Sequence, residues 1–160
     1  ATLTNVRTSL VAQTMTRDEL TRIGSNNAVD FVSGLGWYVD LTDDGSFIGE
    51  RVNIDMRLVQ GTLIAATIVP SNTVCSPGGY GWLNFFNYET GGYVESTTPI
   101  VSGLYQSPIV GINVIFINGK PVVEVVTASK PTPEIDPNVK IKASGAAFTG
   151  KRVMWREMLP

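Results

Sequence analysis

The sequence predicts an all-β chain of short antiparallel strands joined as meanders. Three observations carry this. Nineteen Val and sixteen Thr, whose β-branched side chains suit a pleated surface, are spread along the 160 residues. Sixteen Gly and nine Pro punctuate the chain and supply its turns. Apolar residues come in short or alternating runs bounded by Gly, Pro, Asn or Asp.

Taken in order, such runs place strands over residues 8–14, 36–41, 50–59, 62–69, 81–88, 109–117, 121–127, 139–143 and 151–157. Between the first two, Thr16-Arg17-Asp18-Glu19 reads as a helix-capping pattern, with Leu20 and Ile23 following before Gly24. One or two helical turns, or a loop, are expected there. Gln60-Gly61 separates two apolar runs and reads as a hairpin turn. Asn118-Gly119 is the strongest such signal, because both residues tolerate positive φ. Thr90-Gly91-Gly92 links the aromatic run 82–88 to Tyr93-Val94. Pro131, Pro133 and Pro137 exclude a central strand over 129–138, which is expected to be a loop. No linker divides the chain, so residues 1–160 are expected to be one β-rich unit.

Composition excludes several kinds of chemistry. There is no histidine, which removes Ser-His-Asp and Cys-His catalysis, His-ligated zinc and a histidine pH switch. Lys+Arg 12 against Asp+Glu 14 leaves a net charge of −2, and charged residues are only 16%. Nucleic acid is therefore not an expected partner, since phosphate neutralisation needs clustered cations. Apolar runs reach about six residues, against roughly 20 for a helix that spans a bilayer. The first residues lack a basic segment followed by an apolar stretch, so a removed signal or a missing upstream part is expected. Cys75 stands alone and pairs with no second cysteine of these residues. It is either a buried thiol or the partner of a cysteine elsewhere.

Four candidate sites follow. Asp40, Asp43 and Asp44, ahead of Gly45, resemble a calcium loop. With Asp40 at the first position of the twelve-residue template, Arg51 falls where a bidentate Glu is required, so a solvated acidic turn is the competing reading. The aromatic residues, among them Trp37, Trp82, Phe85, Phe86 and Trp155, would form a carbohydrate platform only if two or three shared an exposed face. Alternation instead puts apolar groups on both faces of strand 81–88, which favours core packing. The loop 71–79 has neither P-loop spacing nor G-x-S-x-G, and Cys75 has no histidine to activate it. The carboxylates are scattered over turns, with no pair fixed on one strand face as glycoside hydrolysis needs.

A longer pattern runs through Gly36-Trp37-Tyr38-Val39-Asp40-Leu41, Gly49-Glu50-Arg51-Val52 and the strand 61–70. It continues through Cys75-Ser76-Pro77-Gly78-Gly79-Tyr80-Gly81-Trp82-Leu83 to Tyr88-Glu89-Thr90-Gly91-Gly92, and ends on Gly150-Lys151-Arg152-Val153-Met154-Trp155-Arg156-Glu157. The stretches 10–14 and 22–31 join it. This colinear order, over about two-thirds of the chain, resembles the C-terminal region of the type IV pilus tip-associated adhesins, the PilC/PilY family.

The resemblance implies the last blades of a modified β-propeller within a much longer surface protein; the alternative is a self-contained β-sandwich. It makes Gly36, Trp37, Asp40, Glu50, Arg51, Trp82, Gly91, Gly92 and Trp155 the motif residues. The implied function is non-enzymatic: cell-surface attachment and pilus assembly through protein contacts, with a role in virulence. The implied location is the pilus tip, at the outer membrane after passage through the periplasm. Expected partners are the remaining blades or another chain of the same protein, minor pilins or other pilus proteins, and a host or surface ligand. The family's calcium loop lies upstream and has no match here, nor is there an Arg-Gly-Asp motif, so no cofactor is expected. Two other readings compete. Residues 1–14 would serve as a donor strand in a filament of β-sandwich subunits. Residues 88–92 are the one hint of a quinoprotein-like enzyme.

Overall fold

A computed structural model of the chain describes residues 6–71, 78–94 and 99–129, together with the backbone of 134–135. After a 3₁₀ turn at Val6–Ser9 come β1 (Val11–Gln13), β2 (Met15–Asp18), β3 (Thr21–Gly24) and β4 (Trp37–Val39). Next are β5 (Arg51–Val52), β6 (Arg57–Val59), β7 (Thr62–Pro70), β8 (Gly79–Asn87) and β9 (Ile100–Tyr105). The last are β10 (Ile109–Ile117), β11 (Lys120–Thr127) and β12 (Glu134–Ile135). The described residues are all-β, as expected, and their sheets are antiparallel except for one pair: β1 runs parallel to β4.

Two meanders organise the chain. In the first, β6, β7, β8 and β9 follow one another as antiparallel neighbours. This sheet is extended by β3 and β2 beyond β9, and by β5, which pairs with β7 beside β6. In the second, β10, β11 and β12 form their own antiparallel sheet. Both tight hairpins appear where the turn chemistry placed them. Gln60 and Gly61 have φ of 47° and 80°, and Asn118 and Gly119 have 51° and 75°. Positive φ at both central residues gives the turn a twist that matches the flanking strands.

Several expectations are corrected. The capping pattern at 16–19 is not a helix: Met15–Asp18 and Thr21–Gly24 form a hairpin, with Glu19 at positive φ in the turn. Strand pairing here overrides a weak local preference, because β3 also finds β9 on its far side. The run 50–59 divides into β5 and β6, and Asn53 between them turns its amide to the Ile109 carbonyl. Residues 8–9 belong to the 3₁₀ turn, and only Val11–Gln13 is extended. Strand β9 has no counterpart among the predicted strands. The proline loop contains the two-residue edge strand β12. The expected strands 139–143 and 151–157, with Trp155, and also Cys75, lie outside the described residues.

Within the long sheet, β7 and β8 are buried on both faces, which is why they read as near-continuous apolar runs. One face carries Ile64, Ala66 and Leu83, which pack against Ile109, Val123 and Val125 of the second meander. A second cluster joins Met15, Phe86 and Val101 to Trp37, Val39 and Leu41 of the β4 region. The chain is thus layered as the β1–β4 pair, the long sheet and the β10–β12 sheet. Of the aromatic residues of β8, Trp82 and Phe86 are buried and the partly buried Phe85 packs against the first cluster.

Candidate functional site: a buried polar network beside a glycine turn

The registers of three strand pairs line up one polar row across the long sheet. Arg17 of β2 is opposite Arg22 of β3, Arg22 opposite Ser102 of β9, and Ser102 opposite Asn84 of β8. Cross-strand partners share a face, so two guanidinium groups stand side by side, an arrangement that is unfavourable without counter-charges. Two carboxylates supply them from the segment that leads into β5. Glu50 takes Arg22 in a bidentate pair, Nη1 to Oε1 at 3.0 Å and Nη2 to Oε2 at 2.7 Å. Asp43 accepts from Arg17 Nη1 at 2.8 Å.

The Arg22–Glu50 pair is shut away from water, with side-chain exposures of 1% and 0%. One neutral group satisfies it directly, and two more continue the polar row beside it. Thr67 Oγ1 donates to Glu50 Oε1 at 2.5 Å, the Asn84 amide donates to Ala65 O at 3.0 Å, and Ser102 Oγ donates to Asn84 Oδ1 at 2.5 Å. Trp82 closes the assembly: the Arg22 guanidinium lies 4.0 Å from its ring centre and that of Arg17 lies 5.5 Å away. Arg22 Nε and Trp82 Nε1 have no hydrogen-bond partner among the described residues. Charge pairing and cation–π stacking therefore hold the indole and the guanidinium together.

A second cluster forms around Gln13, which is 4% exposed. Its amide nitrogen donates to the carbonyls of Asn27 and Thr90, and its oxygen accepts from Ser25 Oγ and the Asn27 N–H. This one side chain ties β1 to the segment after β3 and to the turn after β8. In that turn Gly91 has φ of 73° and donates its N–H to Asn87 O at 2.7 Å. Trp37 lies against it and donates Nε1–H to Tyr88 O at 2.9 Å. Gly92 packs on Ser25 and Asn26. Residues 88–92, the hint of an enzyme, serve here as a packed turn.

The motif residues therefore fall into two groups. Glu50 and Trp82 belong to the arginine network, and Trp37, Gly91 and Gly92 to the turn; Gly36, at φ of 128°, leads into Trp37. Arg51 is exposed and donates to Gly49 O. The three aspartates of the calcium reading are not brought together: Asp40 pairs with Arg7, Asp43 with Arg17, and Asp44 accepts the Arg17 backbone N–H at 3.1 Å. No group of three or more metal-ligating side chains occurs among the described residues. Millimolar calcium or a chelator is accordingly expected to leave the melting temperature unchanged, which thermal unfolding monitored by circular dichroism checks. A calcium-dependent rise would restore the site.

Sequence reasoning missed Arg17, Arg22, Gln13, Thr67, Asn84 and Ser102. One signal was present: Thr67 and Asn84 are polar residues inside otherwise apolar strands, and a buried polar group needs a partner.

No family model matches the sequence. The chain is similar to the type IV pilus biogenesis factor PilY1 of Pseudomonas aeruginosa strain PAO1, with 29% identity over 82 residues, 48% of this chain and 7% of that protein. The strain PAK protein matches with the same figures. The fold matches the crystal structure of the Pseudomonas aeruginosa PilY1 C-terminal domain with a TM-score of 0.60 at 19% identity, covering 83% of this chain and 33% of that one. The likeness read from the motifs to the C-terminal region of this family thus holds in sequence and in fold. The solved domain is a β-propeller. This chain spans a third of it and 7% of the curated relatives.

Proposed function

We propose that the chain is the C-terminal part of a pilus-associated protein that supports type IV pilus biogenesis and attaches to surfaces from the pilus tip. The likeness to PilY1 in sequence, in a chain that also shares the fold of its C-terminal domain, carries this reading. In it residues 1–160 form one unit, the last blades of a larger propeller. The unit works by contact and without a cofactor, on the cell surface in association with the outer membrane, after export through the periplasm. Its partners are the remaining blades, minor pilins or other pilus proteins, and a host or surface ligand. The composition agrees with such a role, because a chain without histidine and sparse in charge is poorly equipped for acid–base work.

The donor-strand reading is not favoured. Val11–Gln13 pairs with Trp37–Val39 within its own chain, so that strand is already in use. Deleting these 160 residues from the parent gene is expected to reduce surface piliation, counted by electron microscopy, and attachment, measured separately on piliated cells. Unchanged piliation together with unchanged attachment would refute the proposal.

A further inference from the structure

Two sheet edges of this molecule are treated in opposite ways. The outer edge of β2 is blunted: Asp44 occupies the Arg17 N–H, and Asp43 holds the Arg17 side chain. A charged loop laid on an edge is a usual defence against unwanted strand pairing. The outer edge of β10 has no such cover among the described residues. Strand β10 pairs with β11 alone, and Ile109–Ile117 contains neither a charged residue nor a proline.

The turn at Asn118-Gly119 decides which backbone groups face outward. A two-residue hairpin makes Ile117 and Lys120 a hydrogen-bonded pair. By alternation Ile115 and Asn113 also bond to β11, while the N–H and C=O groups of Ile112, Val114 and Phe116 point away from it. No described residue takes those groups. The register shift between Ile109 and Gly111 ends the regular stretch, leaving 111–117 as an edge in unbroken register.

We propose that this edge joins two copies of the chain, their β10 strands pairing antiparallel about a two-fold axis at Val114. That register sets Val114 against its own counterpart and sets Phe116 opposite the Ile112 of the other copy, twice by symmetry. Phe116 is 58% exposed in the single chain, and Ile112 already packs on the core. The pairing covers the first with the second, an aromatic–β-branched contact of the kind that stabilises sheets. On the other face Ile115 meets Asn113 and Ile117 meets Gly111. No charge meets a like charge, because the strand has none. The edge is thus self-complementary, as an isologous interface must be. The two β10–β12 sheets become one.

Sedimentation equilibrium of the 160-residue chain over a range of concentrations tests this. The expected result is a reversible dimer. Val114→Pro removes a donor that β11 does not use and is expected to abolish the dimer. Phe116→Lys changes an exposed side chain and no backbone donor, and it is expected to weaken dimerisation about tenfold or more, since the pair is lost twice. Circular dichroism checks that each variant stays folded; if the proline variant does not, the lysine variant decides alone. A wild-type chain that stays monomeric, or a dimer indifferent to both substitutions, overturns the proposal.

Discussion

Glu50→Ala is expected to lower the unfolding free energy by about 3–5 kcal/mol, a loss that urea denaturation would register as a shifted midpoint with an unchanged slope. The size follows from what is left behind. Arg22 is 1% exposed, and without Glu50 its guanidinium keeps only the Trp82 face and the polar row. Its charge is then buried and unpaired, the circumstance in which removal of one partner does most damage. Thr67 loses its close acceptor in the same change and keeps only the Trp82 carbonyl at 3.4 Å. The pair itself is worth far less than this figure, because forming it first strips two ions of water. Replacing both partners separates the two quantities. Arg22→Met with Glu50→Leu removes the charges together and is expected to recover most of the loss. The neighbouring Arg51→Ala is expected to stay within about 0.5 kcal/mol, since that side chain is exposed. A Glu50→Ala variant as stable as wild type would mean that the pair is solvated.

Much of the fold was readable in the chain because the signals were local. A two-residue turn with Gly at its second position constrains φ at both residues whatever surrounds it. The apolar run of β8 has aromatic or aliphatic groups on both faces, which only a sheet covered on both sides accommodates. The arginine network was not readable, because its parts come from five strands and a loop and meet only through register. Arg17 and Arg22 lie in a segment whose Thr, Asp and Glu mimic a helix start. Nothing near them in sequence shows that β9 will pair with β3. Strand β9 itself is interrupted by Ser102 and Gly103, which dilute the apolar pattern, yet Ser102 is the residue that continues the polar row. The motif residues were found without their roles: Glu50 and Trp82, 32 positions apart in the numbering, serve one guanidinium.

Gly91→Ala is the other substitution expected to be severe, at about 2–5 kcal/mol. Two separate penalties add. The residue sits at φ of 73°, where an L side chain is strained by about 1–2 kcal/mol. A Cβ there would also run into the indole of Trp37, at Cδ2, Cε3 and Cγ. Trp37 has little room to retreat. Its ring packs 6.0 Å from that of Phe86, and its Nε1–H is held by the Tyr88 carbonyl at the start of the same turn. Any shift of the turn also strains the Thr90 carbonyl, which Gln13 binds from below. Gly45→Ala isolates the first penalty, because Gly45 has φ of 83° and nothing within 4 Å of the added carbon. The difference between the two alanine variants, read by urea denaturation, is the contribution of the Trp37 overlap. In a Trp37→Ala background that difference is expected to vanish, leaving Gly91→Ala no worse than Gly45→Ala. If it persists, the turn is constrained by its backbone bonds to Asn87, and the indole is not what excludes a side chain there.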